Sequence, residues 1–355
     1  MFNSLPSIMN RTSQRLAVFL LAVFVIMPQM LQAATEHNQA QKIVAVEGPT
    51  MGTRYHVKWV AHESETRELA DQQNNQVNQL LIDINKAMST YIADSELSLF
   101  NKLPSGSEQQ VSSALYELLV MAQQISKDSG GAYDVTLGPL INLWGFGPDR
   151  RPIKAPTQAE IDAVRHRVGY QHLELLADNR IRKNADLYID LSSIAKGYAV
   201  DQVANLIASF GYSAYLVEIG GELITKGFKP KGAPWRIAVE SPTQSPGIQS
   251  IVQVSDIAVA TSGDYRIYFE EKGVRYSHII NTKTAKPISH NLASVTVLAA
   301  NCALADALAT TFLAMGLKKA YSYALKNGVD AFFISKGDSG FVETLTPGFG
   351  RRIIQ

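Results

Sequence analysis

From 213 to 300 the chain reads almost entirely as short strands. Runs near 214–219, 222–227, 235–240, 251–260, 265–270, 275–281 and 293–299 combine β-branched or aromatic residues with Gly, Pro, Asn or Asp between them. Helical spacing brackets this block. Leu69, Val77, Leu80, Leu81, Ile84 and Met88 predict a helix over 66–88, and Leu115, Leu118, Leu119, Ala122 and Ile125 one over 112–127 that stops before Gly130-Gly131. Thr157-Gln158-Ala159-Glu160 is a capping box opening another helix, because each end residue satisfies a free backbone N–H of the first turn. A further helix is expected from Ser193 to Phe210, ending at Gly211. Two more span 301–315 and Leu317–Lys326 on either side of Gly316. Strands at 43–46 and 55–60 flank the turn 48–53, a hairpin over 173–191 turns at Asp178-Asn179, and strands near 330–335 and 340–345 close the chain. Strands adjacent in sequence pair antiparallel. The expected fold class is therefore α+β, with antiparallel or mixed sheets flanked by helices in one compact unit. Only 145–156, rich in Pro, Gly and Arg, has linker composition, and it is too short to separate independent domains.

Charge and cysteine content remove several classes. Lys and Arg total 33 against 32 Asp and Glu, a balance unlike the basic excess of a nucleic-acid binder. The single cysteine, Cys302, forms no intramolecular disulfide and no zinc or iron–sulfur cluster. It lies in Ala300-Asn301-Cys302-Ala303-Leu304, an apolar setting without the cationic neighbour that would activate a thiol, so it reads as a packing residue.

The N-terminus carries a targeting pattern. Arg11 and Arg15 precede an apolar run from Leu16 to Met27, then Pro28 and Leu31-Gln32-Ala33-Ala34, which supplies a small-residue cleavage site. The run is well short of the roughly 20 residues a spanning helix needs. The expected arrangement is a signal peptide over 1–33, one functional domain over 34–345 and a C-terminal tail over 346–355. Cleavage after Ala33 takes both arginines with it and turns the formal +1 into a slight negative balance. The plain alternative is an uncleaved anchor. No cysteine stands at the cleavage site for lipid attachment, so the expectation is a soluble periplasmic protein that is not integral to the membrane.

Several short segments bear chemistry, each with a bland reading beside it. Asp306 and Thr310 are four apart in a predicted helix, so their oxygens share one face and suit a hard cation such as Mg²⁺. Equally, Asp306 is an acid favoured by the helix dipole, and Thr310 a hydroxyl bonded to the previous turn. Asp190-Leu191-Ser192-Ser193-Ile194-Ala195-Lys196 joins a strand to a helix N-terminus, where free N–H groups and Lys196 receive phosphate, or where Ser192 is an ordinary cap and Lys196 a solvated side chain. Gly52, Gly220-Gly221 and Gly263 follow strand-like runs and either admit a ligand close to the backbone or make plain turns. Tyr91 sits at a helix end before a polar loop, placed to stack on a flat ligand or to pack in the core. His278 is a candidate base or phosphate-orienting group, or a satisfied structural histidine. G-x-G-x-x-G, Walker, H-E-x-x-H and G-x-S-x-G patterns are absent, which removes the support for Rossmann, P-loop, zinc-hydrolase and serine-hydrolase readings.

The order of these segments is more specific than any one of them. Thr50-Met51-Gly52-Thr53, Met88-Ser89-Thr90-Tyr91, Gly131-Ala132-Tyr133-Asp134-Val135-Thr136 with Pro139-Leu140 and Trp144-Gly145, Asp190 through Asp201, Ile219-Gly220-Gly221, Ala260-Thr261-Ser262-Gly263, Ser277-His278-Ile279-Ile280 and Ala305-Asp306-Ala307-Leu308-Ala309-Thr310 together resemble the ApbE-type flavin transferases over about 46–345. The resemblance implies a T-fold-like unit that binds FAD between two closely packed subdomains. It also implies Mg²⁺-dependent transfer of FMN from FAD to a Thr or Ser hydroxyl of an acceptor protein, with release of AMP. Expected acceptors are flavin-bearing subunits of the sodium-translocating NADH:quinone reductase or related redox pumps. By position, Tyr91 should stack on the isoalloxazine with Met51 beside it. Ala132, Tyr133, Asp134, Asp190 and Lys196 should contact the nucleotide, and Ile280 should line the pocket. Asp306, Thr310 and the backbone carbonyl of Ser193 should hold the metal. His278 is the candidate for assisting the acceptor hydroxyl or the phosphate, with Asp306 competing for the base role.

The chain departs from the family pattern at three places. It has Asn281-Thr282-Lys283-Thr284-Ala285 for Asn-Pro-x-Thr-Gly, Glu222 where Asp or Asn commonly follows the Gly-Gly pair, and Ser192-Ser193 where glycines are frequent. These alter turn and pocket shape and remove no ligating group. Rival functions are a periplasmic FAD pyrophosphatase, a flavin-binding protein without turnover, and a solute-binding protein. The last lacks the two-lobed α/β repeat expected of its class.

Overall fold

The computed structural model describes residues 40–149, 154–243 and 247–354; the expected signal segment and the centre of the linker-like span lie outside them. By their contacts the described residues form a small unit, 40–42 with 61–65, and a large one made of the remainder. Within the described part of the small unit, the Lys42 ammonium donates to the carbonyls of Glu63 and Glu65, and the Glu63 N–H to that of Ala40. Everything below concerns the large unit.

The strands in chain order are β1 (Gln41–Thr50), β2 (Thr53–His62), β3 (Glu108–Gln110), β4 (Leu173–Leu176), β5 (Arg180–Lys183), β6 (Tyr215–Ile219), β7 (Glu222–Lys226), β8 (Trp235–Glu240) and β9 (Ile248–Val254). They continue as β10 (Ile257–Gly263), β11 (Tyr268–Glu271), β12 (Val274–Ser277), β13 (Ile280–Asn281), β14 (Lys286–Pro287), β15 (Leu292–Ala299), β16 (Asp330–Gly337), β17 (Gly340–Leu345) and β18 (Ile353–Ile354). Eight of them form one sheet in the order β1-β2-β6-β7-β10-β15-β16-β17, and every pairing from β2 onward is antiparallel. The α+β expectation with antiparallel sheet is met.

Helices Ala195–Ser209 and Cys302–Met315 cover one face of this sheet. The other face packs Leu223, Val259, Leu298, Phe332 and Ile334 against Trp235, Val239, Val252 and Val254 of a small sheet in the order β18-β9-β8, and against Phe349 just before β18. A second apolar cluster, Leu140, Leu143, Trp144, Ile161, Phe269, Ile280 and Ala285, joins helices Gly138–Leu143 and Gln158–Arg165 to β11 and β13.

Local rules account for most element ends. Thr66 caps helix Arg67–Met88 by accepting the Leu69 N–H, and the capping box Thr157–Glu160 forms as expected. Asp178 and Asn179 both have positive φ, as a tight hairpin turn requires. Elsewhere the structure corrects the sequence reading. The run 251–260 is two strands in different sheets, because Asp256 adopts φ +54 and breaks the extended chain between β9 and β10. The second strand of the 173–191 hairpin ends at Lys183, whose ammonium is buried and donates to the carbonyls of Asn101 and Leu187. Residues after Leu345, expected to trail away, carry a short helix Pro347–Gly350 and β18, with Phe349 wholly buried.

Candidate active site

The helix Cys302–Met315 is apolar nearly all round and buried on most faces, so the acid within it needs an explanation. Asp306 accepts the Gly197 N–H on Oδ2 at 3.0 Å. In a helix that begins at Ala195, that N–H is one of the first-turn donors left without an intrahelical carbonyl, and Asp306 satisfies it. The converse contact comes from Asp201, whose two oxygens accept the N–H groups of Cys302 and Ala303 at 2.7 and 2.9 Å. Each helix is therefore capped by an aspartate from the other. Gly197 makes the seam possible, since a Cβ there would lie 2.3 Å from the Cys302 carbonyl oxygen. The alternative in which Ser192 is an ordinary cap does not hold: its N–H donates to Asp190 Oδ1, and the helix begins at Ala195 with no side-chain cap of its own.

Asp306 opens onto a cavity of about 350 Å³. Thr310, one turn on, also lines it, with its hydroxyl 3.0 Å from that of Ser262 at the end of β10. Lys196 lines it from the other helix and lies 2.7 Å from Glu222 Oε2, just after the Gly220-Gly221 turn. Burial works against the Lys196 ammonium, yet Asp306 and Glu222 together outweigh it and raise its pKa. Glu222 is pushed up to about 7 by burial, with Lys196 pulling it down and Asp306 pushing further up. Asp306 is raised by burial against the pull of Lys196. One ammonium thus lies beside two enclosed carboxyl groups, with the Thr310 and Ser262 hydroxyls lining the same cavity, an oxygen-rich wall of the kind a hard divalent cation takes. No cluster of three His, Cys, Asp or Glu that could hold a metal ion stands among the described residues.

The opposite wall carries the remaining candidates. Tyr91 stands at the rim, 68% exposed, as a stacking platform requires and a core residue does not. Ala132, Tyr133, Asp134, Asp190 and Ile280 line the cavity. The Tyr133 ring is buried, and its hydroxyl accepts from Ser193 Oγ at 3.0 Å. Asp134 spends both oxygens on the chain, accepting from the N–H and hydroxyl of Thr136 and from the Tyr170 N–H. It ties the Thr136 segment to Tyr170, and burial raises its pKa against those bonds. His278 lies at 3.0 Å by Nδ1 from the Ile267 carbonyl, an acceptor only, so Nδ1 carries the proton and Nε2 keeps the lone pair. Burial lowers its pKa, against the Ile267 carbonyl and Asp264 and reinforced by Lys196, which keeps the ring neutral at pH 7. Met51 does not join the others: it occupies the β1–β2 turn at φ +48, outside the cavity lining.

Cavity residues missed from the sequence include Phe146, Arg266 and Ile267. Nothing in their spacing marks them, because they reach the site from loops. Thr261, Ser262 and Gly263, which also line the cavity, were visible as a glycine turn and as one of the ordered motifs, with no role assigned.

The ApbE family profile matches residues 51–333. The FAD:protein FMN transferase of Vibrio cholerae is 43% identical over 309 residues, covering 86% of this chain and 91% of its own. That of Haemophilus influenzae is 40% identical over 315 residues, covering 87% and 91%. Among solved structures, the flavin transferase ApbE from Vibrio cholerae superposes with a TM-score of 0.81 at 41% identity, over 88% of this chain and all of its own. The apo flavinyl transferase ApbE of Pseudomonas stutzeri gives 0.81 at 42%, over 88% and 97%. With the ordered motifs gathered on one cavity and these likenesses spanning most of the chain, the protein belongs to the ApbE family of flavin transferases.

Proposed function

We infer that this chain is an FAD:protein FMN transferase. The observation that carries the reading is the convergence of Asp306, Thr310 and Lys196 beneath an exposed aromatic, Tyr91, in one cavity. The names of its relatives support the same activity. The isoalloxazine lies against Tyr91, and the pyrophosphate runs toward Lys196 and the Asp306 oxygens, between the large-sheet half and the Trp144 cluster.

The reaction requires an acceptor Thr or Ser hydroxyl to attack the flavin-side phosphorus. A new O–P bond forms, the bond to the bridging oxygen breaks with its electron pair kept by AMP, and the hydroxyl gives up its proton. His278 Nε2 is the neutral group able to take that proton. Lys196 offsets charge on the phosphoryl oxygens, and the Gly220-Gly221 turn admits them close to the main chain. A Mg²⁺ ion, held by Asp306, Thr310 and the Ser193 carbonyl, would supply further charge compensation at the phosphates.

Flavin-bearing subunits of redox pumps, including the sodium-translocating NADH:quinone reductase, are the acceptor class we propose, and the periplasm the compartment. Support for the compartment is the Arg11, Arg15 and Leu16–Met27 pattern, and no described helix is long and apolar enough to cross a membrane. The deciding experiment combines the protein with FAD, Mg²⁺ and such a subunit and follows intact mass. A gain of one FMN on the acceptor with AMP release is expected. Release of free FMN and AMP with every acceptor unmodified replaces this reading with the pyrophosphatase.

A further inference from the structure

The cavity has a second cation that the scheme above does not use. Arg266 follows β10 and lines the mouth. Its Nη1 lies against the double-glycine turn, 3.8 Å from where a Cβ of Gly221 would stand, and the Lys196 side chain lies 3.5 Å from the matching point on Gly220. Both glycines have positive φ, +63 and +106, so this turn presents bare main chain between two cationic side chains.

The two cations are held very differently. Lys196 pairs with a carboxylate that is buried, and Asp306 adds to its hold. Arg266 pairs with Glu240 of β8 at 2.6 Å, and both of those side chains are half exposed or more. An exposed pair of this kind contributes little, and a guanidinium fits a phosphate through two parallel N–H donors. Tyr265, its ring centroid 5.8 Å from the guanidinium carbon, gives the head group a flat backing. Arg266 is therefore free to trade partners, whereas Lys196 is not.

We propose that Arg266 is a positioning residue that leaves Glu240 to grip the adenylate-side phosphate of the dinucleotide. This rests on the FAD reading above. Lys196 and the Asp306 oxygens take the flavin-side phosphate, where the reaction occurs. Arg266 takes the other, which departs with AMP. It thereby separates a pyrophosphate dinucleotide from flavins that lack the second phosphate, and Glu240 recaptures the guanidinium when AMP goes.

The test measures FAD and riboflavin binding by flavin fluorescence for the full chain and the variants Arg266→Gln, Arg266→Lys and Glu240→Gln. Arg266→Gln should weaken FAD about tenfold or more, as loss of a charge-assisted contact does, and leave riboflavin unchanged. Arg266→Lys should recover part of the loss. Glu240→Gln should tighten FAD, an improvement that a purely structural ion pair would not give. Unchanged FAD affinity in a folded Arg266→Gln protein overturns the proposal. So does an equal loss for both flavins, or a loss confined to the acceptor KM. Because binding is read without turnover, a wild-type protein that grips FAD through Arg266 yet modifies no acceptor would sink the transferase reading and leave this one standing.

Discussion

Gly197 and Asp306 are joined by an N–H···O bond of 3.0 Å between two helices, so the carboxylate facing the cavity is also the cap of its neighbour. Position and charge of Asp306 can be separated by substitution. Asp306→Asn keeps an oxygen for Gly197 but loses the charge. It should lower FMN transfer about 100-fold, as loss of a ligand contact does, with a melting temperature close to wild type. Asp306→Ala should lose activity and also about 1 kcal/mol of stability through the missing cap. Wild-type transfer by Asp306→Asn would remove the ligand assignment.

Gly197→Ala tests the seam itself. The new methyl would meet the Cys302 carbonyl at 2.3 Å, and neither helix backbone can move without shifting a cap. Thermal unfolding should show a loss of about 1–3 kcal/mol, the range for overpacking, together with reduced transfer. A fully stable, fully active variant would show that the helices separate easily.

Tyr91 stands at the rim with most of its surface free. Stacking on a base or flavin is worth about 1–3 kcal/mol, so Tyr91→Ala should weaken FAD roughly tenfold or more while Tyr91→Phe does not. Equal fluorescence titrations for wild type and Tyr91→Ala would rule out the platform.

His278 sets a pH dependence whose sign follows from its burial. The folded pKa lies below the ordinary 6.5, so the neutral ring prevails at pH 7 and is lost only as pH falls through that lower value. Asp264 and Lys196 face it with opposite effects. Transfer rate should be flat around neutrality and decline on an acid limb below 6.5. His278→Gln should abolish that limb and cost roughly 10²–10⁴ in kcat, the usual yield of proton transfer. Persistence of the limb in the variant would assign it elsewhere.

Phe349 shows that the C-terminus belongs to the core. Its side chain is wholly buried beside Phe332, with ring centroids 5.4 Å apart. Phe349→Ala should destabilise the protein by about 3–5 kcal/mol, read by denaturant unfolding, and a chain ending at Leu345 should fare worse. A cost below 1 kcal/mol would return the segment to the status of a tail.

Local signals were legible and distant ones were not. Thr66 and Thr157 announce their helices because each cap bonds within its own first turn. Asp201 and Asp306 cap helices about a hundred residues away in sequence, and no spacing rule reaches that far. The break at Asp256 escaped notice because the turn contains no glycine, and an aspartate in the left-handed region looks the same in sequence as one in a strand. The ordered motifs contain Tyr91, Lys196, His278, Asp306 and Thr310, which all line one cavity. They could not show that Asp134 serves the chain, that Met51 stands apart, or that Arg266 reaches in from a loop.

Cys302, the sole cysteine, lies fully enclosed where the two helices meet, and burial pushes its thiol well above the ordinary value, with Asp201 adding to the effect. Its N–H is held by Asp201, and its carbonyl is the atom Gly197 approaches. A thiol reagent in solution reaches the sulfur only when that seam parts. The rate of labelling in the folded protein is thus a count of seam openings, with no dye or engineered probe required. Any ligand that tightens Asp306 against Gly197 will slow the count, so occupancy of the cavity can be read as the survival time of one sulfhydryl.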